Sequence, residues 1–280
     1  MTVTKNPSAW WRLGAALAIA LPALVHANQD VEKNIADPKN WAVQAGDEFN
    51  QRYTKLNQIN VSNVGKMQVA WTFSTGVLRG HEGSPLVIGD MMYIHSPFPN
   101  KVFAMDLNTQ KILWKYEPKQ DPAVIPQMCC DTVNRGLAYA ENKVFLQQAD
   151  STLVALDAKT GAEVWHTTFE DYTHGYYMSL APLVIDGRVL VGVSGGELGI
   201  RGFIAAFDVD TGKELWRTYT VPKPGEPGSE TWPNGDQWKT GGGSVWMTGV
   251  YDPDTKLTFW GTGNGGPWMG DQRPGDNLYT

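Results

Sequence analysis

Apolar residues in this chain fall into short runs closed by turn residues, the pattern of β-strands joined by hairpins. Pro182–Val191 reads as two short strands around the Asp186-Gly187 turn. Pro85–Ile94 has the same shape with Gly89-Asp90 at the turn, and Leu137–Leu146 repeats it around Glu141-Asn142. One apolar run is different: Leu13–Val25 is continuous and stands near the N-terminus.

A longer period overlies the strand pattern. Ala104, Asp106, Thr109 and Trp114 recur as Ala155, Asp157, Thr160 and Trp165, then as Ala206, Asp208, Thr211 and Trp216. The three Asp stand 51 residues apart, and each Trp follows its Asp by eight. Gly161 and Gly212 follow the second and third Thr. A degenerate fourth copy, Asp252, Thr255 and Trp260, lacks the Ala and the Gly, and Trp71 reads as the end of an earlier copy. Periods of 40 to 50 residues built from four short strands are β-propeller blades. Each Trp is expected between neighbouring blades, because one thin sheet cannot bury both faces alone. A β-sandwich with coincidental turns does not explain three copies at one spacing.

Residues 28–280 hold about five such periods, so the expected fold is all-β, a propeller of about four to five blades. The last period does not close, and an open propeller would expose an unpaired edge. The sequence is therefore expected to be the N-terminal part of a longer propeller, with a complete five-bladed protein as the alternative. Val221–Asn234, with Pro222, Pro224, Pro227 and Pro233, reads as an insertion between blades.

Lys5 and Arg12, the apolar Leu13–Val25 and the small-residue site Val25-His26-Ala27 make residues 1–27 a secretory signal, too short for a comfortable membrane span. An uncleaved anchor is the alternative. Export to the periplasm and no stable membrane insertion are expected. The 23 Lys and Arg against 29 Asp and Glu, a net charge of −6, argue against a nucleic-acid partner.

The two cysteines are adjacent, Cys129-Cys130. Neighbouring Cα atoms lie ~3.8 Å apart while a relaxed disulfide wants ~5.5–6 Å, so a bridge between them is strained. Two free thiols, or pairing to another chain, are the other readings. His81, His95, His166 and His174 show no zinc spacing with them.

These stretches resemble the quinoprotein alcohol dehydrogenases, eight-bladed propellers that bind pyrroloquinoline quinone. The tryptophan repeat, Gly80–Pro85, the run from Cys129 to Gly136, Ser194–Gly199 and Gly261–Asn264 are similar to that family's signatures and occur in its order. The resemblance implies a quinone contact for Glu82 and a carboxylate grip for Arg135, a role suited to the guanidinium fork. It implies a vicinal disulfide, Cys129 with Cys130, against one face of the flat cofactor and the Trp246 indole on the other. Ser179 and Ser244 stand where the family often has Thr and keep a hydroxyl; Ser194, Gly195 and Gly196 bring backbone amides to the cofactor edge. Glu197 and Asn264 match two ligands of the catalytic metal, one calcium or lanthanide ion, and their oxygen donors suit a hard cation. The general-base Asp and a third ligand are expected beyond Thr280, so no catalytic residue is assigned within the chain.

The function so implied is oxidation of a small primary alcohol, methanol or ethanol type, to the aldehyde by metal-assisted hydride transfer to the quinone. Electrons then pass to a cytochrome c, and a homodimer is a possible state. The alternative is a non-enzymatic exported propeller scaffold of the outer-membrane assembly type, which has no need of Cys129-Cys130, Glu197 or Asn264. A sugar dehydrogenase of the same superfamily is weakened by the adjacent cysteines. Residues Gly263–Trp268 and Arg273–Tyr279 lean toward ethanol-type or lanthanide-type members.

Overall fold

The computed structural model describes residues 27–280. The export signal expected in residues 1–27 lies outside the described residues but for Ala27. The chain builds three four-stranded antiparallel sheets, each in sequence order. The first holds β1 (Leu86–Ile88), β2 (Met91–His95), β3 (Val102–Asp106) and β4 (Lys111–Tyr116). The second holds β5 (Ala138–Ala140), β6 (Lys143–Gln147), β7 (Thr152–Asp157) and β8 (Glu163–Thr168). The third holds β9 (Leu183–Ile185), β10 (Arg188–Gly192), β11 (Phe203–Asp208) and β12 (Glu214–Tyr219). A two-stranded sheet follows, β13 (Val250–Asp252) with β14 (Leu257–Phe259). These are propeller blades. The expected hairpins all form, and the left-handed φ of Glu141, Asn142, Asp186 and Gly187 fits the turn type that such two-residue connections favour.

The repeat has a geometric cause. In each complete blade the recurrent Ala lies directly across the outer ladder from the Trp: Ala104 from Trp114, Ala155 from Trp165, Ala206 from Trp216. A register shift follows the Ala at the same place in all three, a bulge that bends the outer strand. Asp157 Oδ1 accepts from the Thr160 amide and hydroxyl, both at 2.7 Å. Asp106, Asp208 and Asp252 hold the same turn, and these bonds to Thr keep all four carboxyls below their ordinary pKa.

The core lies between successive sheets. Trp114 Nε1 donates to the Ala158 carbonyl of the next blade at 3.0 Å, and Trp165 Nε1 to Val209 at 3.1 Å. Tyr93 stacks on Tyr139 across the first junction, and Phe145 meets Trp165 at the second. The expectation that every repeat Trp packs between blades needs correction at Trp216. Trp216 is 41% exposed; among the described residues the next sheet has only two strands, so no turn between a third and a fourth strand is there to receive its indole. Trp260 packs against the third cluster with Tyr251, yet its Nε1 is buried with no partner among the described residues. The copy at Trp71 forms no strand, since no described strand lies beside it to complete a ladder.

Helix α1 (Ala27–Ala36) carries no signal in the strand pattern. It buries Val31 in the cluster of Phe145, Val184 and Phe207, while Asp30 accepts from the Glu141 amide at 2.8 Å. No helix among the described residues is long and apolar enough to cross a membrane.

Candidate functional site

An antiparallel blade in sequence order puts its second-to-third-strand loop and its link from the previous blade at one end. The Asp turns and the Asp-Gly hairpin go to the other. The residues singled out from the sequence lie in the first kind of segment. Glu82 precedes β1, Cys129 to Arg135 join β4 to β5, and Ser179 precedes β9. Ser194 to Glu197 follow β10, Ser244 and Trp246 precede β13, and Asn264 follows β14. Three blades and the two-stranded sheet thus deliver their candidates to one end.

There they meet around a cleft of about 450 Å³, within the size range of cofactor pockets. Cys129, Cys130, Arg135, Ser179, Ser194, Gly195, Gly196, Glu197, Ser244, Trp246 and Asn264 all line it. Glu82 does not. It stands behind the wall and reaches the cleft through Arg135, whose Nη2 is 2.9 Å from Glu82 Oε2.

Arg135 is the fixed point of the site. Its Nη1 donates to Ser179 Oγ at 2.9 Å, and that hydroxyl bonds Ser194 Oγ at 2.8 Å. Its amide donates to the Ser179 carbonyl at 2.9 Å, and its own carbonyl accepts from Gln44. The guanidinium carbon stands 4.9 Å from the Trp246 ring centre, so cation and indole form adjacent walls. Trp246 is 43% exposed, a flat apolar face left open beside buried hydroxyls.

Close approach explains the glycines. A Cβ on Gly196 would stand 2.9 Å from Ser244 Oγ, and one on Gly263 2.6 Å from the same atom. Gly195 has a φ of +105°, and a Cβ there would meet the Gly175 carbonyl oxygen at 1.9 Å. The cleft floor admits no side chains at these places.

Cys129 and Cys130 are both exposed free thiols in the structure, so the disulfide is not formed here. The short Cα separation explains why closure needs a distorted linkage. The hydrogen bond that the Cys129 thiol donates to Cys130, with some burial, pushes the Cys129 thiol up to about 11.

The sequence reading missed several members. Tyr177, buried, accepts the Cys129 amide on its hydroxyl at 3.2 Å, and burial pushes its pKa up to about 12. Asp131 ties the cysteine loop to the segment that leads into the first blade, accepting from the Gly80 amide at 2.8 Å. Its bonds to Gly80 and Thr132 hold its carboxyl low. Asp131 could have been noticed, because Cys130 and Asp131 both take left-handed φ and Asp is among the residues that tolerate it. Nothing local in the sequence marks Tyr177.

Glu197 and Asn264 face the same cleft and offer oxygen donors. Among the described residues, no group of three or more His, Cys, Asp or Glu gathers to hold a metal. The pair is a partial set that fits a hard cation as far as it goes. The flat indole, the guanidinium and the side-chain-free floor likewise fit a planar anionic cofactor.

The family model described as the β-propeller domain of pyrroloquinoline quinone glucose, ethanol and alcohol dehydrogenases matches residues 41–280. A lanthanide-dependent methanol dehydrogenase of Methylorubrum extorquens is 50% identical over 96% of this chain and 47% of its own length. Subunit 1 of the cytochrome c methanol dehydrogenase of Paracoccus denitrificans is 44% identical over 94% of this chain and 46% of its own. Among solved structures, a europium-containing methanol dehydrogenase superposes with a TM-score of 0.87 at 44% identity, covering 90% of this chain and 47% of the other. The chain spans about half the length of the curated relatives it matches.

Proposed function

The chain belongs to the pyrroloquinoline quinone β-propeller family of glucose, ethanol and alcohol dehydrogenases, and from that premise we propose that its cleft is the quinone and metal site of an exported primary-alcohol dehydrogenase. The observation that carries this reading is convergence. Arg135, Trp246, Glu197, Asn264 and the cysteine pair, far apart in sequence, line one cleft. When bound, the quinone accepts two electrons as alcohol becomes aldehyde, and a metal ion supplies the Lewis acid that polarises it.

The chain's own residues do the rest. Arg135, braced by Glu82 and Ser179, presents its fork to a cofactor carboxylate. Trp246 forms one flat wall of the slot, and Cys129-Cys130, oxidised to a disulfide, forms the other. The bare glycine floor admits the cofactor edge to the amides of Gly195 and Gly196. Glu197 brings a negative charge and Asn264 a neutral oxygen to the cation. No residue of this chain is assigned to take the alcohol proton, and a cytochrome c is the electron acceptor in this reading. Residues 1–27 direct the product to the periplasm. Calcium and lanthanide both suit the two ligands, and the lanthanide-dependent relative favours the second.

The experiment is reconstitution. Purified protein that includes the expected remainder of the propeller is loaded with the quinone and either calcium or a lanthanide, and alcohol-dependent dye reduction is followed. Quinone retention and methanol- or ethanol-dependent turnover are expected. Protein that holds no quinone with either metal would return the scaffold reading to first place.

A further inference from the structure

His95 ends β2 and is 6% exposed, and it does not line the cleft. Its Nε2 lies 3.0 Å from the carbonyl oxygen of Asn134. A carbonyl only accepts, so Nε2 carries the proton and Nδ1 holds a lone pair. That Nδ1 is buried with no partner among the described residues. Burial, the largest influence, brings the ring down to about pKa 4 against the raising effect of the Asn134 bond, and His81 adds to the lowering. The imidazole is neutral at any ordinary working pH.

The peptide that His95 grips is the one preceding the Arg135 Cα. Its carbonyl, on Asn134, accepts from His95; its amide, on Arg135, donates to the Ser179 carbonyl at 2.9 Å. One peptide plane is thus pinned at both ends. The same imidazole sets the second partner of the ion pair. A Cβ on Gly83 would stand 2.2 Å from both Cε1 and Nε2 of His95 and 2.8 Å from the Arg135 carbonyl carbon. Gly83 therefore packs directly against the ring, and Glu82 is its neighbour in sequence. The backbones that carry Glu82 and Arg135 meet across one buried ring, and their side chains pair at 2.9 Å beyond it.

We propose that His95 is a positioning residue for the quinone site: as the neutral Nε2–H tautomer it fixes the Glu82–Arg135 pair at the reach and angle the cofactor carboxylate requires. This rests on the cofactor reading above and names a residue that touches neither cofactor nor metal. Its donor is what matters. A glutamine can present an amide N–H at the Nε2 position, whereas a leucine fills the space and donates nothing.

The test compares wild type, His95→Gln and His95→Leu in the full chain, freed of quinone and then titrated with pyrroloquinoline quinone and calcium. Binding is read from the quenching of tryptophan fluorescence, and thermal midpoints are taken without quinone. The expected result is quinone affinity weakened about tenfold or more in His95→Leu and within about threefold of wild type in His95→Gln. The midpoints of the two variants should fall by similar amounts. Wild-type affinity in His95→Leu, or equal weakening in both variants, overturns the positioning role. If wild type itself binds no quinone, the cofactor reading falls and takes this one with it. Should His95→Leu not fold, nitrogen NMR of wild type decides: a proton on Nδ1 instead of Nε2 breaks the bond to Asn134 and overturns the proposal.

Discussion

Gly161 lies under the indole of Trp114, so close that a Cβ on it would stand 2.5 Å from the ring's Cε3. Gly212 has the same relation to Trp165 at 2.4 Å. Both glycines also take positive φ, but that alone does not demand glycine, for Gln110 and Lys256 hold the matching positions at φ of 59° and 57°. The docking indole is the demanding partner.

Gly161→Ala should therefore destabilise the protein by about 2–4 kcal/mol, from the left-handed backbone and the clash together. Gly212→Ala should behave alike. Gln110→Gly, which relieves a left-handed residue and frees the unfolded chain, should change stability by less than about 1 kcal/mol. Denaturant midpoints of the three variants check this, and an equal effect at Gly161 and Gln110 would remove the indole from the argument.

That relation also shows what the sequence made legible. The 51-residue period is the footprint of a local rule, Asp turn, glycine dock, indole and facing Ala, and each element leaves its own letter. The strands and hairpins follow from it. Trp216 departs from the expectation because the sheet after it has two described strands, and the turn that would cover its indole is not among them. Helix α1 was invisible because a short surface helix is held by tertiary contacts, here Val31 and Asp30, and not by its own periodicity. The site candidates were legible through motif resemblance, and their convergence needed the fold. The ties of Asp131 and His95 are contacts to distant backbone, which no local pattern records.

Glu48 makes the protein's stability depend on pH. Its Oε1 is buried without a partner among the described residues, in a small cavity between residues 43–50, Tyr139 and Val184. Burial, then the charges of Glu32, Asp47 and Asp186, raises its carboxyl to about 7. A carboxyl raised on folding binds its proton more tightly in the native state. Its contribution is full below its unfolded value near 4.5 and declines as pH rises to about 7. Glu48→Gln should flatten this decline between pH 5 and 7 and stabilise the protein at pH 8 by about 1–2 kcal/mol. Thermal melts across that range test it; a variant no more stable than wild type at pH 8 contradicts it.

The cysteine pair gives two readouts. Denatured but unreduced protein from the exported fraction should show no titratable thiol at Cys129 and Cys130, and finding both thiols free would count against the disulfide. After reduction, the raised pKa of Cys129 predicts slow chemistry. Alkylation at pH 8 should run about tenfold or more below that of a free cysteine and accelerate as pH climbs toward 11. Mass spectrometry of the alkylated peptide separates the two positions.

Glu197 and Asn264 differ in what they give a cation, and that difference can be measured. A carboxylate contributes charge as well as an oxygen, while an amide contributes an oxygen alone. Glu197→Gln keeps the shape, removes the charge and should cut calcium or lanthanide affinity by about a hundredfold or more. Asn264→Asp adds charge and should hold the metal at least as well as wild type. On the proposed reading quinone should stay bound in Glu197→Gln, because Arg135, Trp246 and the cysteines would grip it independently of the ion. Alcohol-dependent dye reduction should nevertheless vanish, since the polarising cation is lost. Metal content by mass spectrometry, quinone by absorbance and dye reduction, each with calcium or a lanthanide, read the three outcomes separately. Full metal occupancy with full activity in Glu197→Gln would show that this carboxylate is not a ligand. Loss of quinone together with metal would instead mean that the cation, and not Arg135, is the cofactor's main anchor.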